Sequence, residues 1–160
     1  MKKITLLFYI SFIICFFITS ILSAQTSIKG KECVGVWKTI DDETGVTKSL
    51  VEIYKKGSTY NAKIVKLLDK QTLINAGKKN FEDILCNNCP VNHGKNKKLL
   101  GLEIIWDMEK TTKKYKGGKI MDPADGKTYS CTIWMEDENT LKVRGWLTIL
   151  YRTQTWYRVQ

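Results

Sequence analysis

Cys86, Cys89 and His93 stand in the order C-x2-C-x3-H, and further along Asp122, Asp125 and Lys127 crowd into the stretch DPADGK. Three chemistries use such residues: thiol–disulfide exchange, zinc coordination, and hydrolysis by paired carboxylates. Each has a structural competitor. A redox-active C-x2-C sits at a helix N-terminus after a strand, where the helix dipole stabilises a thiolate, and nothing around CNNC supplies that context. The first reading of the pair is therefore a local Cys86–Cys89 disulfide stiffening a long loop. With Cys33 and Cys131 also outside the N-terminal segment, three pairings remain open. A closed zinc site needs a fourth ligand. His93 is the sole histidine, and the nearby Asn92 and Asp83 are poor donors, so no metal is expected and His93 reads as a loop residue. Pro90 after Cys89 departs from the C-x-x-C-H pattern of covalent haem attachment, and no cofactor is expected. A lone histidine and no nucleophile elbow leave little for a Ser-His-acid triad. In DPADGK every residue has a turn role: Pro123 fixes the backbone, Asp122 accepts from turn amides, and Asp125-Gly126 suits a positive-φ step. Asp122, Pro123 and Gly126 are read as structural, and no residue is assigned a catalytic role.

The elements that must position these residues are strands. No stretch sustains a helical amphipathic period. Short runs rich in Val, Ile, Thr, Tyr and Trp recur between Gly, Asp and Asn. They are GVWKTI (35–40), TKSLVEIYKK (47–56), TYNAKIVKLL (59–68), LLGLEIIWDME (99–109), GGKIMD, KTYSCTIWME, TLKVRGWLTI and YRTQTWYRV. Eight strands joined mostly by short loops suit an antiparallel meander, and eight is a number at which a sheet closes on itself. The expectation is all-β: one antiparallel eight-stranded barrel with one long Cys-containing loop, 69–97, where QTLINAGKKNFEDIL is compatible with a short helix. Along the strands, Tyr129, Cys131, Ile133 and Met135 share one face, and Leu141, Val143 and Gly145 oppose Lys142, Arg144 and Trp146.

The N-terminus reads differently. MKK followed by ITLLFYISFIICFFITSILSA and then Gln25 is the pattern of a secretory signal peptide, residues 1–24, leaving a barrel domain over 25–160. The apolar run approaches the roughly 20 residues of a spanning helix, which makes a retained anchor the alternative. The absence of a basic cluster after Ala24 favours cleavage, hence an exported protein, periplasmic or secreted, with no stable membrane span. Cys15 lies behind bulky Ile14, an unfavourable setting for lipid modification. The formal charge of +10 would suit anionic surfaces. Most lysines, however, alternate with apolar residues as on a solvated sheet face, and the one compact cluster, GKNKK, has no aromatics to stack bases. Nucleic acid is not an expected partner.

GVW opens the first strand and WYRV closes the last. Lipocalin-like barrels begin with Gly-x-Trp, and an Arg from the last strand commonly lies over that Trp, where cation–π attraction seals the barrel. Here Gly35, Trp37 and Arg158, or less favourably Arg152, would form that structural lock. GVWKTIDDETG, SLVEIY, CNNCP, GGKIMDPADGKTYSC, LKVRG and RTQTWYR together resemble the bacterial domain-of-unknown-function family 2147, in order from Gly35 to Arg158. The resemblance implies a small exported protein with a lipocalin-like barrel and brings no established activity or ligand. Between Arg144-Gly145 and Arg152-Thr153-Gln154 the family carries a longer, glycine-containing stretch; WLTILY is short and glycine-free, giving a tighter last hairpin.

A barrel of this size is filled by side chains or holds one small ligand. The leading reading is a binding protein for a small apolar or amphipathic molecule, lined by aromatics such as Tyr54, Tyr60, Trp106 and Tyr129, with Arg144 or Lys127 near the mouth for an anionic head group. The alternative is an envelope interaction module with a filled barrel, whose exposed apolar residues gather around 69–97. A thiol-redox or hydrolytic enzyme is the third reading.

Overall fold

A computed structural model describes residues 32–160; the signal-peptide reading of 1–24, and Cys15 with it, lies outside the described residues. β1 (Gly35–Ile40), β2 (Thr47–Lys56) and β3 (Thr59–Leu67) run as a meander. The 68–102 connection follows, carrying α1 (Lys70–Ala76) and two single 3-10 turns, Phe81–Asp83 and Val91–His93. Then come β4 (Glu103–Lys110), β5 (Tyr115–Lys116), β6 (Lys119–Met121), β7 (Thr128–Met135), β8 (Thr140–Leu147) and β9 (Leu150–Arg158). Every pairing is antiparallel. The spatial order is β3-β2-β1-β9-β8-β7-β5-β4-β6, and β3 also pairs with β4, so the sheet closes. β5 and β6 are one stave, because both lie between β4 and β7. The β4 register also runs unbroken from Lys110↔Tyr115 to Ile105↔Ile120. The break falls at Gly117–Gly118, where a Cβ on Gly118 would lie 2.2 Å from the Trp106 carbonyl oxygen. The result is a closed eight-stave barrel. Among the described residues no helix is long and apolar enough to cross a membrane.

Alternation sorts the faces. Val51 and Ile53 on β2 stand opposite Ile64 and Ala62 on β3, all buried. Cys131, Ile133 and Met135 on β7 stand opposite Gly145, Val143 and Leu141 on β8. These form the inner wall, whereas Trp134↔Lys142 and Thr132↔Arg144 form the outer one. Burying such apolar side chains, at roughly 1.5–3 kcal/mol each, is what holds the sheet curled.

Because the strands alternate in direction, the connections divide between two ends. One end carries the β2–β3 turn, the β4–β5 turn and the β7–β8 turn, and it is sealed. Trp37, fully buried, donates its indole N–H to the Cys33 carbonyl at 2.7 Å. Arg158, its cross-strand partner, lays its guanidinium 4.3 Å from the indole centroid. The same guanidinium donates to the carbonyls of Glu32, Val34 and Glu138 at 2.9, 3.0 and 2.8 Å, and Gly35 leaves the space it occupies. Tyr60 and Tyr115 pack edge to face at 4.8 Å beneath this lock. Arg152 takes no part; it holds Asp42 at the opposite end.

Candidate functional site

The other end is open. It is framed by the β1–β2 turn, the 68–102 connection, the β6–β7 turn and the β8–β9 turn, and a cavity of about 820 Å³ opens there. The barrel wall contributes Thr39, Ser49, Ile64, Tyr129, Val143, Gly145, Gln154 and Trp156. Leu67 at the end of β3 and Thr72, Asn75, Ile84, Asn87, Asn88 and Leu99 on the long connection add to the lining, and the two hairpins contribute Met121 to Ala124 and Leu147, Leu150, Tyr151 and Arg152. Aliphatic side chains form about half of the lining, hydroxyls and amides are spaced along it, and Asp41, Lys48, Asp69, Asp122 and Arg152 add charge. The Thr39 and Ser49 hydroxyls are 2.9 Å apart, and Gln154 accepts from the Trp156 indole at 3.1 Å.

The two motifs that could have carried chemistry meet at this mouth. The connection doubles back on itself: Cys86 N–H donates to Lys97 O at 2.8 Å, and Leu99 N–H to Ile84 O at 2.9 Å. A Cys86–Cys89 disulfide closes its tip. That tip rests on the DPADGK turn, where Asn88 Nδ2 donates to the Ala124 carbonyl at 2.7 Å. Gly126, at φ 72°, lets the Asn88 backbone approach so closely that a Cβ would fall 1.8 Å from its carbonyl oxygen. Within the turn, Asp122 Oδ1 accepts from Ala124 N–H and Asp125 Oδ1 from Lys127 N–H, each at 2.9 Å. The Lys127 amide and ammonium hold the Asp125 carboxyl below its ordinary range. Both carboxylates are thus engaged with their own turn.

Neither remaining thiol is poised to react. Cys33 and Cys131 are free and buried; burial pushes Cys33 up to about 11 and Cys131 up to about 12, far from thiolate formation at neutral pH. His93 lies flat on Trp106, ring centroids 4.0 Å apart, rather than beside a pair of thiolates. Among the described residues no cluster of His, Cys, Asp and Glu could hold a metal ion.

Of the five residues expected to line a ligand site, the cavity includes Tyr129. Tyr60 sits at the sealed end, donating to Glu32 Oε1 at 3.1 Å. Tyr54 donates to Glu103, and burial followed by that carboxylate pushes its phenol up to about 12. Trp106 faces outward with its cross-strand partner Lys119. Arg144 is also on the outer wall, between Trp134, Trp146 and Tyr151 at 5.0, 5.3 and 4.1 Å, and its Nε donates to Thr153 Oγ1. Lys127 is paired with Asp125. The cations that line the cavity are Lys48 and Arg152, and both already have partners. Lys48 lies 2.8 Å from Asp69 and 3.9 Å from Asp41; the Asp69 hydrogen bond raises the lysine, and the lysine in turn lowers Asp69. Asp69 also caps α1 by accepting from Gln71 N–H at 3.0 Å, so one carboxylate ties α1 to β2. Asp69 had a readable signal, an acceptor immediately ahead of a short helix. The inward positions of Ser49 and Gln154 follow from alternation with Val51 and Trp156.

An up-and-down eight-stave barrel, locked at one end by Gly-x-Trp and Arg and open at the other onto an apolar cavity, is a lipocalin-like barrel. The chain belongs to the family of uncharacterized proteins conserved in bacteria, DUF2147, which it matches over residues 35–158. Among solved structures it is similar to protein HP1028 from the human pathogen Helicobacter pylori, described as belonging to the lipocalin family. The TM-score is 0.65 and the identity 22%, over 81% of this chain and 84% of that one. Among curated proteins no match is found.

Proposed function

We propose that this protein is an exported carrier for a small apolar or amphipathic molecule, taken body-first into the barrel through its open end. The observation that carries the reading is the open cavity of about 820 Å³, within the roughly 300–1,000 Å³ of small-molecule sites and lined in the usual way, aliphatic walls with a few polar groups. Its lock-and-mouth polarity fits the same role, since a single entrance leaves a ligand one orientation. Because Lys48 and Arg152 are already paired with carboxylates, the head group best suited to this mouth is neutral and hydrogen-bonding, served by Asn87 and by the amide capacity that Asn75 and Asn88 keep beyond their single bonds to Gln71 and Ala124, rather than anionic. Export is supported by the Cys86–Cys89 disulfide, a bond at home in oxidising compartments.

An interaction module with a filled barrel is favoured by the exposure of Ile74, Leu85 and Val91 on the long connection, but its filled interior is not what the cavity offers. The test is a native mass spectrum of protein purified from its own exporting host. A mass excess that disappears on denaturation supports the carrier. A bare mass, together with no saturable uptake of an apolar fluorescent dye, refutes it.

A further inference from the structure

Large apolar side chains left in water are informative when they gather in one place. In this barrel most of the strongly exposed ones lie around the mouth, Ile74 on α1 and Leu147, Ile149, Leu150 and Tyr151 on the β8–β9 hairpin, with Val46 on the β1–β2 turn; Val91 lies on the connection, and the less exposed Val34, Tyr157 and Val159 lie toward the sealed end. The hairpin tip is the extreme case, with Ile149 88% exposed, Leu150 69% and Leu147 57%. Its turn is also the strained one, because Thr148, a β-branched residue, is held at φ 55°. Across the mouth, α1 buries none of its residues, and Ile74 is 68% exposed.

Behind the tip the residues are layered. The aliphatic tip is followed by Trp146 and Tyr151, whose rings lie 4.9 Å apart. Next comes Arg144, stacked on both rings and bonded to Thr153 rather than to a carboxylate. Aliphatic, then aromatic, then cationic is the order in which a bilayer presents hydrocarbon, interface and phosphate. A protein surface has no reason to demand that sequence of layers. The connection at the same end carries Lys70, Lys78, Lys79, Lys95, Lys97 and Lys98 against Asp69, Glu82 and Asp83, in a chain of formal charge +10. On the adjoining turn, Asp42 and Glu43 both lie against Arg152. The same rim also carries Asp41, Asp122 and Asp125 beside Lys48 and Lys127, so it is close to charge balance, and the cation set at phosphate depth behind the tip is Arg144.

We propose that the mouth of the barrel docks on a phospholipid surface, with the β8–β9 tip inserted to the depth of Trp146 and Tyr151. Leu147, Leu150 and Tyr151 also line the cavity, so the docked barrel opens directly toward hydrocarbon, and a ligand exchanges between cavity and bilayer without crossing water. The docking does not depend on the carrier reading; an empty barrel would bind the same surface.

The test uses protein as its host processes it, with vesicles of phosphatidylcholine alone and with added phosphatidylglycerol. Cosedimentation should occur with both compositions, because insertion is driven by the apolar tip, and should rise only modestly with phosphatidylglycerol. The I149D/L150D double variant, which alters only exposed positions, should keep the wild-type melting temperature and lose about tenfold or more in partitioning. K78E/K79E should weaken binding to anionic vesicles alone. Brominated acyl chains should quench wild-type tryptophan fluorescence, and W146F should abolish most of that quenching. Residues 1–31 contain no tryptophan, so the quenching reports on the barrel's own indoles, and its dependence on Trp146 separates tip insertion from tethering by an N-terminal segment. Vesicle binding indifferent to I149D/L150D overturns the proposal. So does a wild-type protein that ignores vesicles while self-associating, or binding a purified envelope protein, through the same tip.

Discussion

Replacing Gly126 by Ala should loosen the cover of the cavity without touching a cavity wall. The added methyl would meet the Asn88 carbonyl oxygen at 1.8 Å and its carbon at 2.7 Å, both backbone atoms that no rotamer change can move aside. Restoring ordinary contact requires the disulfide tip and the β6–β7 turn to part by about 1.5 Å. The Asn88 Nδ2 bond to Ala124 O, now 2.7 Å, then exceeds hydrogen-bonding range. Holding Ala at φ 72° adds about 1 kcal/mol, the lost bond about 1 kcal/mol, and the freed packing a comparable amount. The expected loss is about 2–3 kcal/mol, a fall in melting temperature of roughly 6–10 °C. Hydrogen exchange should localise it, with amides of residues 84–99 losing protection before those of β7 and β8. N88A should cost about 1 kcal/mol and should not rescue G126A, because the obstructing atoms belong to the backbone. A G126A protein within about 0.5 kcal/mol of wild type, or one whose protection falls evenly over the barrel, would refute the docking of the disulfide tip on this turn.

Gly145→Leu should project into the cavity beside Tyr129 and Ile120, where a Cβ has ordinary clearance. An apolar dye should bind about tenfold or more weakly, equivalent to about 1.5–2.5 kcal/mol of lost contact, with little change in melting temperature. Arg158→Ala should cost about 3 kcal/mol in urea unfolding, and Arg158→Lys should recover less than half of it, because an ammonium cannot reproduce a planar group that stacks on Trp37 while serving three carbonyls. Asp69→Ala should cost about 1–2 kcal/mol at neutral pH, from the α1 cap and the Lys48 pair together. The sign of its pH dependence follows from the lowered Asp69 carboxyl. Its stabilisation is complete above the unfolded pKa and disappears as pH falls through the folded one, so urea unfolding below about pH 4 should be less acid-sensitive in the variant.

The strands were legible in the sequence because alternation and β-branched runs mark them directly. The eight expected staves correspond to nine segments only because Gly117–Gly118 interrupts one of them. The inward face of β7 was harder to read, since its outer face carries Trp134, an apolar residue that earns its place by covering Arg144 and Lys114 rather than by entering the core. Alternation with Val143 already put Arg144 outside; the attraction of a cation near an expected mouth obscured this. The cavity itself was not legible. Its volume is what remains after residues from every part of the chain have packed, and no local pattern encodes an absence. Nor could the sequence indicate that CNNC and DPADGK touch, because that contact depends on a missing side chain at Gly126 and a backbone carbonyl at Asn88.

The Arg158 lock has a temporal meaning. Its guanidinium reaches Val34 and Glu32 across 124 and 126 residues of sequence, so the parts of the seal are the earliest strand and the latest one made. Until β9 docks, β1 and β8 each keep an unpaired edge, and the sheet cannot close. Non-local closure of this kind is slow to form, and it is all-or-none with respect to the C-terminus. A chain that stops short of Arg158 therefore keeps two adhesive edges and an unsealed base. Docking of β9 between β1 and β8 is the step that ends the exposure of those edges to proteases and chaperones.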